Sequence, residues 1–460
     1  MTSTHVTITA SSLGSKGFRA AYGLKYAYLA GAMYRGIASK ELVVRMAKAN
    51  LLAYLGTAGL PLSQIESSIR FIQQELRGTG AYGMNLLADL ENPQMETETV
   101  ALYLRHGVRH IEAAAYMQMT SALVWFRLKG LRANANGRVV CDHHILGKVS
   151  RPEVAALFMS PAPESIVQQL LGEGKVSAEQ AEWAKHVPMC AAICVEADSG
   201  GHTDMGIPTV IFPPLLQLRN QMARRFAEEF PIYMGLAGGI GSPEAAAAAF
   251  VMGADFVLTG SINQCTVEGG TSDAVKNLLQ EINVQDTDYA PAGDMFELGA
   301  KVQVLKRGVF FPARANKLYA LYQQYGSLAE IPESVQKQLQ ERYFKRTFEQ
   351  IWSDIKIYLT RTGRHQEIQN TEVRPKQKMA RIFKWYFAHT THLALSGDEE
   401  NRVDFQVHTG PALGAFNQWL KGTDLESWRA RHVDDIAERL MSATANLLQQ
   451  AYLRLQVAHP

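Results

Sequence analysis

Cysteine is scarce. Four residues of 460 (Cys141, Cys190, Cys194 and Cys265) cannot build a disulfide framework, so the chain is expected to carry reduced thiols in the cytoplasm. No charge sign dominates. The 46 Lys and Arg against 44 Asp and Glu leave a formal net charge of +2, which gives no global reason to expect nucleic acid as a partner. No basic start followed by an apolar run is present in MTSTHVTITASSLGSKGFRA, so no secretory signal is expected. Long apolar runs are missing too. The least charged stretch, 232–260, is broken by glycines and Pro243 and carries Glu244 and Asp255, so no membrane span is expected. Disorder as the main state is excluded by 47% hydrophobic against 20% charged residues. A chain of this length buries a large core without covalent staples.

What is present is a βα rhythm. Short β-rich runs are expected as strands at 26–30, 51–55, 81–86, 109–114, 138–143, 191–197, 232–236 and 255–259. Helical patterns at 39–50, 61–76, 94–105, 121–129, 152–159, 215–229 and 243–252 separate them. Eight βα units in succession point to a parallel sheet, and eight is the closing number of a (β/α)8 TIM barrel. An open doubly wound sheet is the competing architecture. A charged amphipathic insertion at 161–187 interrupts the rhythm. After the eighth strand, 301–305, 314–325, 334–358 and 376–394 show helical periodicity without β alternation. The expected organisation is therefore a barrel over 1–294, an all-helical subdomain over 295–425, and a last helix within 426–460 that returns to the barrel.

The most informative stretch is Tyr233 to Glu244, YMGLAGGIGSPE. A strand runs into Gly238 and Gly239, and a helix opens at Pro243. Glycines let backbone N–H groups approach an anion closely, and a helix N-terminus adds a favourable dipole. Leu258-Thr-Gly-Ser-Ile262 places Gly260 and Ser261 after the eighth strand. In a barrel the loops after strands seven and eight form the standard phosphate site, so a phosphate-bearing cofactor or substrate is expected. A Rossmann site is disfavoured, because Gly-x-Gly-x-x-Gly is absent from this stretch and the glycines come late in the series.

Directly after the sixth strand, Ser199-Gly-Gly-His202 combines two glycines that permit close approach of a flat ring with a histidine able to donate a proton near neutral pH. Gly200 and Gly201 supply the approach, and His202 is the candidate catalytic residue. Other strand ends converge on the same barrel face. Gly31, Ala32 and Met33 follow the first strand, Asn85 ends the third, and Lys148 follows the fifth. Their main chain, amide and cation suit a flavin-like ring system. Cys141-Asp-His143-His144 has no second ligand pair at metal spacing, so no metal is expected.

Ser-Gly-Gly-His202, Ala-Gly-Gly239-Ile and Met-Gly-Ala254-Asp with Thr-Gly260 resemble the superfamily of nitronate monooxygenases and flavin-dependent enoyl-ACP reductases, FMN-containing TIM barrels. Met295 to Gly308 (MFELGAKVQVLKRG), Arg314 to Tyr319, Lys376 to Tyr386 and Gly410 to Trp419 narrow the resemblance to the trans-acting enoyl reductases. These serve trans-acyltransferase polyketide synthases and polyunsaturated fatty-acid synthases. The resemblance implies FMN, NADPH as hydride source, and an enoyl thioester on acyl carrier protein. It assigns Ser199, Gly200, Gly201, Gly238, Gly239, Gly260 and Ser261 to FMN, mostly at its phosphate. Gly31, Ala32, Met33, Asn85 and Lys148 fall beside the ring, and His202 beside ring and substrate carbonyl. One departure stands out: the superfamily often has Gly-Thr-Arg-Phe after strand eight, whereas this chain has Gly260-Ser-Ile-Asn263.

No acidic residue lies between Glu297 and Glu330, while Lys301, Lys306, Arg307, Arg314 and Lys317 do. Such a basic segment suits an acidic carrier protein and its phosphopantetheine. A small-nitronate oxygenase and a non-catalytic docking barrel are the competing functions, and a homodimer is one admissible assembly.

Overall fold

The computed structural model describes residues 7–89, 92–226, 228 and 230–457. Thirteen strands are found among them. In chain order they are β1 (Tyr28–Ala30), β2 (Leu52–Leu55), β3 (Gly83–Leu87), β4 (His110–Ala114), β5 (Leu131–Ala133), β6 (Val139–Cys141), β7 (His144–Val149), β8 (Ala192–Glu196), β9 (Gly201–Thr203), β10 (Tyr233–Ala237), β11 (Phe256–Thr259), β12 (Thr287–Pro291) and β13 (Lys301–Leu305). The chain divides into two compact units, one formed by Met1–Asp198, Asp204–Gly270 and Ala415–Pro460, the other by Ser199–Thr203 and Thr271–Gly414.

The first unit holds a closed parallel barrel in the order β1-β2-β3-β4-β7-β8-β10-β11, which is the expected TIM barrel. Strand side chains alternate, so Leu29, Leu52, Leu146, Cys194 and Leu258 fill the interior. The short helix Lys16–Tyr22 closes one end. Ser15 Oγ accepts from the Phe18 N–H at its start, Gly23 ends it at φ +66, and Phe18 stacks on Phe256 at 4.4 Å between centroids. The helix Val433–Val457 packs on Pro243–Val251 and Lys40–Lys48. Its start is pinned by His432 Nδ1 at 2.5 Å from Glu268 Oε1 and by Arg45 Nε at 2.5 Å from Asp434 Oδ1.

Two expected elements differ. The run 138–143 is not the fifth barrel strand. Its β6 folds back antiparallel on β5 across a turn containing Asn136 and Gly137, the latter at φ +74. That Asn-Gly pair is a hairpin signal. The barrel strand is the following run, β7, which pairs with β4 and β8. Lys148, expected after a strand, therefore lies within one. The helix expected at 215–229 begins earlier, at Pro208, and ends at Ala223; its expected last residue, Glu229, lies outside the described residues.

The second unit is helical around a small sheet in the order β12-β13-β9, antiparallel. Residues 301–305, expected to be helical, form its middle strand, because Val302 and Val304 alternate into the core. The 334–358 helix is also interrupted. It runs as Glu333–Gln338, a π-helical turn Leu339–Phe344, Lys345 at φ +53, and Phe348–Arg361, restarted by a capping box of Thr347 and Gln350. Phe296, Phe311, Phe383, Tyr386 and Phe387 form the core around the helix Pro375–Ser396. No helix among the described residues is long and apolar enough to cross a membrane.

Candidate active site

Three charged side chains meet inside the barrel on neighbouring strands. Lys148 of β7 lies 2.8 Å from Glu196 Oε1 of β8 and 3.5 Å from Glu112 Oε1 of β4. Glu112 is wholly buried. Burial raises its carboxyl above the ordinary carboxylate range, with Lys148 and a backbone N–H partly offsetting the shift. Burial pulls the Lys148 ammonium down, but the carboxylates of Glu196 and Glu112 outweigh it and hold the group above its usual value. The cation stays charged.

The loop after β1 is fastened to this cluster. The Ala32 N–H donates to Glu112 Oε2 at 2.7 Å. A Cβ at Gly31 would come within 2.6 Å of Leu258 and 3.3 Å of Glu112 Oε1. Met33 is held from the other side, since a Cβ at Gly56 would fall 1.6 Å from its carbonyl oxygen. Asn85 of β3, pairing in register with Glu112, donates from Nδ2 to the Glu112 carbonyl at 3.1 Å. Its own carbonyl accepts from the Thr57 and Tyr103 hydroxyls at 2.7 and 2.6 Å.

The two glycine loops follow β10 and β11. Gly238 and Gly239 adopt φ of +86 and +76, the region where glycine is favoured. A Cβ at Gly238 would strike the Ala197 carbonyl oxygen at 2.5 Å, whereas at Gly239 and Gly260 it would project into open space. Behind Gly260, Thr259 Oγ1 and Tyr28 Oη are 2.6 Å apart and Asn263 Nδ2 donates to the Thr259 carbonyl at 3.1 Å, so the turn into Ser261 is rigid. Open space over glycine main chain at two adjacent strand ends fits a phosphate-bearing cofactor.

Ser199, Gly200, Gly201 and His202 belong to the second unit. His202 is carried by β9, an edge strand, rather than by a barrel loop, and pairs in register with Val302. Its Nε2 lies 2.9 Å from Asp294 Oδ1. Partial desolvation would raise the Asp294 carboxyl, but its side chain is 66% exposed and the His202 imidazole outweighs the effect, holding the carboxyl below the usual range. Gly200 packs on Thr409, where a Cβ would come within 2.7 Å of Cα. His408 is half-buried, and desolvation pushes it down to about 4, with His202 acting in the same sense. It accepts from Gln406 Nε2 at 2.9 Å.

The basic residues separate into different roles. The Arg314 guanidinium is turned inward on Asp404, which also accepts from Tyr386 Oη at 2.7 Å. Arg307 donates to the Glu281 carbonyl and lies 3.4 Å from Asp286. Lys301 lies over the Tyr319 ring at 5.6 Å. Lys306 and Lys317 are exposed.

The structure thus gathers Gly31, Ala32, Asn85 and Lys148 around Glu112, and sets His202 beside Asp294. Glu112, Glu196, Asp294 and His408 were missed by sequence reading. A lone acid with apolar neighbours in a barrel strand (HIEAA, AICVE) is the signal that points to the first two. Asp294 and His408 carry no local signal.

Residues 325–405 match the inserted helical domain of [acyl-carrier-protein] S-malonyltransferase. The chain is 54% identical over 443 residues to the polyketide biosynthesis protein PksE of Bacillus subtilis, covering 96% of this chain and 57% of that protein. It is 53% identical over 445 residues to the polyketide biosynthesis protein ThaF of Burkholderia thailandensis, covering 96% of this chain and 38% of that protein. A polyunsaturated fatty acid synthase component of Thraustochytrium sp. is 40% identical over 421 residues, covering 91% of this chain and 28% of that protein. The chain therefore spans little more than half the length of PksE and less of the other two. Among solved structures, the enoyl reductase domain of MlnA from the macrolactin biosynthesis cluster of Bacillus amyloliquefaciens superposes with a TM-score of 0.92. Its identity is 47%, covering 97% of this chain and 99% of that one. FabK from Thermotoga maritima, at 15% identity and a TM-score of 0.54 over 95% of this chain and 98% of that one, shares the fold alone. With near-complete coverage of the MlnA domain at this identity, the chain belongs to the family of that enoyl reductase domain.

Proposed function

We propose that the chain is a trans-acting enoyl reductase, reducing the α,β-double bond of an enoyl thioester carried on an acyl carrier protein, with FMN as resident cofactor and NADPH as hydride source. The observation that carries this reading is 47% identity over 99% of the MlnA enoyl reductase domain. The glycine loops support the cofactor. Gly238, Gly239, Gly260 and Ser261 would hold its phosphate, and Ser199, Gly200 and Gly201 would add main-chain contacts. Gly31, Ala32, Met33, Asn85 and Lys148 would hold its ring.

FMN, when bound, supplies a two-electron relay between nicotinamide and the substrate β-carbon. The chain supplies the rest. Charge develops on the thioester oxygen as the β-carbon is reduced, and a donor there lowers the barrier. His202 is assigned that donation and the proton for the α-carbon, with Asp294 favouring its protonated form. Lys306, Arg307, Lys317 and Lys301 are assigned to the acidic carrier, whereas Arg314 is internal.

The test is a visible spectrum of the purified protein, followed anaerobically by NADPH and then by an enoyl thioester mimic. The expected course is flavin absorbance that bleaches with NADPH and returns with the thioester. Return only with oxygen would favour the nitronate oxygenase branch, and no flavin after addition of FMN would favour a docking barrel.

A further inference from the structure

The turn that carries Gly260 and Ser261 is braced from behind by the C-terminal part of the barrel unit. Arg431, just before the helix Val433–Val457, is only 1% exposed. Its guanidinium donates from Nε to the Leu425 carbonyl at 2.8 Å and from Nη2 to the Glu426 carbonyl at 2.8 Å. Its Nη1 donates to Asn417 Oδ1 at 2.9 Å and reaches Cys265 Sγ at 3.6 Å. Its acceptors among the described residues are thus two carbonyls, an amide oxygen and a thiol rather than a carboxylate. Burying a guanidinium on neutral acceptors is costly, and its use is geometric: a planar fork ties several acceptors into one frame, which a point-charge ammonium does not. Leu425, Glu426 and Asn417 belong to the C-terminal segment, whereas Cys265 directly follows the short helix Ser261–Gln264. The main chain makes the same junction, since the Val267 N–H donates to the Arg431 carbonyl at 2.9 Å and the Val433 N–H to Glu268 Oε2 at 3.1 Å. Thr266 Oγ1 donates to the Asn263 carbonyl at 2.7 Å and carries the junction back into the helix. The turn is held to the barrel through Thr259 and Tyr28 at its start and to the C-terminal segment at its end, while a Cβ at Gly260 would face open space.

We infer that Arg431 is a positioning residue for the cofactor phosphate. It locks Cys265 and Val267 to the C-terminal segment and so fixes the main chain of Gly260 and Ser261, without touching the phosphate itself. A phosphate bound by main-chain N–H groups needs those donors aimed before it arrives, because ordering a loose turn subtracts from the binding energy. This rests on the FMN reading above, with Gly260 and Ser261 at the phosphate. The residues assigned to the ring stand elsewhere, Gly31 after β1, Asn85 on β3 and Lys148 on β7. A loosened turn should therefore weaken phosphate binding and spare the ring.

The test is fluorescence-quenching titration of the apoprotein with FMN and with riboflavin, which lacks only the phosphate, for the wild type, R431M and R431K. Methionine keeps an apolar stem and removes every donor, and lysine keeps the charge and loses the fork. The wild type should bind FMN more tightly than riboflavin by about a hundredfold, the worth of one or two charge-assisted hydrogen bonds. R431M should lower FMN affinity by about tenfold and leave riboflavin affinity within about twofold. R431K should lower the ratio of the two affinities in the same direction, and decides the matter alone if R431M does not fold. Weakening of both flavins by one factor overturns the inference, because Arg431 is then a general stabiliser of the barrel. A ratio unchanged in both variants overturns it too. So does a full ratio kept by R431K beside a collapsed one in R431M, because the charge and not the fork is then what counts. A wild type that binds the two flavins equally overturns the phosphate assignment, and one that binds neither overturns the FMN reading; in either case this inference falls as well.

Discussion

His202 Nε2 and Asp294 Oδ1 stand 2.9 Å apart although 92 residues separate them in the chain. An ionised carboxylate only accepts, so Nε2 carries the hydrogen of this contact, and the carboxylate favours the imidazolium. If His202 acts through this pair, D294N should lower kcat about tenfold, a fraction of what a general acid contributes. In an H202A background D294N should add nothing, because the two residues act as one unit. Steady-state rates of the two single variants and the double, with flavin loading monitored, check this. Additive losses would dissolve the pairing.

Lys148 is the cation between two carboxylates. K148M leaves Glu112 and Glu196 facing each other uncompensated and should cost about 3–5 kcal/mol, read by denaturant unfolding. Neutralising both acids in the same variant should recover part of the loss.

Glu112 also predicts a pH dependence. A carboxyl raised in the folded state binds its proton more tightly there than in the unfolded chain. Its cost is absent below the ordinary carboxylate range and grows as pH rises through that range to the raised folded value. The wild type should lose stability relative to E112Q as pH rises above the ordinary carboxylate range of about 4, until the raised folded value is passed, seen in melting temperatures across a pH series. A pH-independent difference would show that the group titrates normally.

The glycine loops separate space from strain. Gly238→Ala brings a Cβ against the Ala197 carbonyl oxygen at 2.5 Å, at φ +86, and should destabilise the barrel. Gly239→Ala carries only the cost of a positive φ, about 1 kcal/mol, because its Cβ meets nothing within 4 Å. It should therefore melt close to wild type yet bind FMN at least about tenfold more weakly. Unchanged affinity would remove Gly239 from the phosphate site.

The basic segment yields a contrast. Charge reversal at Lys306 and Arg307 should raise KM for a carrier-bound enoyl substrate and leave a small thioester mimic unaffected. Charge reversal at Arg314 should instead unfold the second unit, because Asp404 beside it is only 4% exposed and would face a like charge. An equal KM effect on both substrates would place the docking surface elsewhere.

Much of the barrel is legible in sequence because its signals are local. Gly238, Gly239 and Gly260 each follow an apolar run and precede a helix start, and Ser39, Thr120 and Ser242 accept first-turn N–H groups as their residue types suggest. The errors fall where two short runs compete. Residues 138–143 and His144–Val149 are both apolar enough for a strand, and only pairing with β4 and β8 selects the second. Likewise, residues 301–305 satisfy a short helical pattern, and the partners β12 and β9 make them a strand.

The sequence by itself determined the eight βα units, the glycine loops after the last two barrel strands, and the family, since each rests on residues near one another in the chain. Only the tertiary structure decided that Lys148 stands between Glu112 and Glu196, that Glu112 fastens the loop after β1 through the Ala32 N–H, that His202 lies on an edge strand against Asp294, and that Arg314 turns inward on Asp404. Each of these joins charges from separate strands or loops. Burial makes such pairing obligatory, but which partners meet depends on barrel register and on the core of the second unit, neither of which is written in any local stretch.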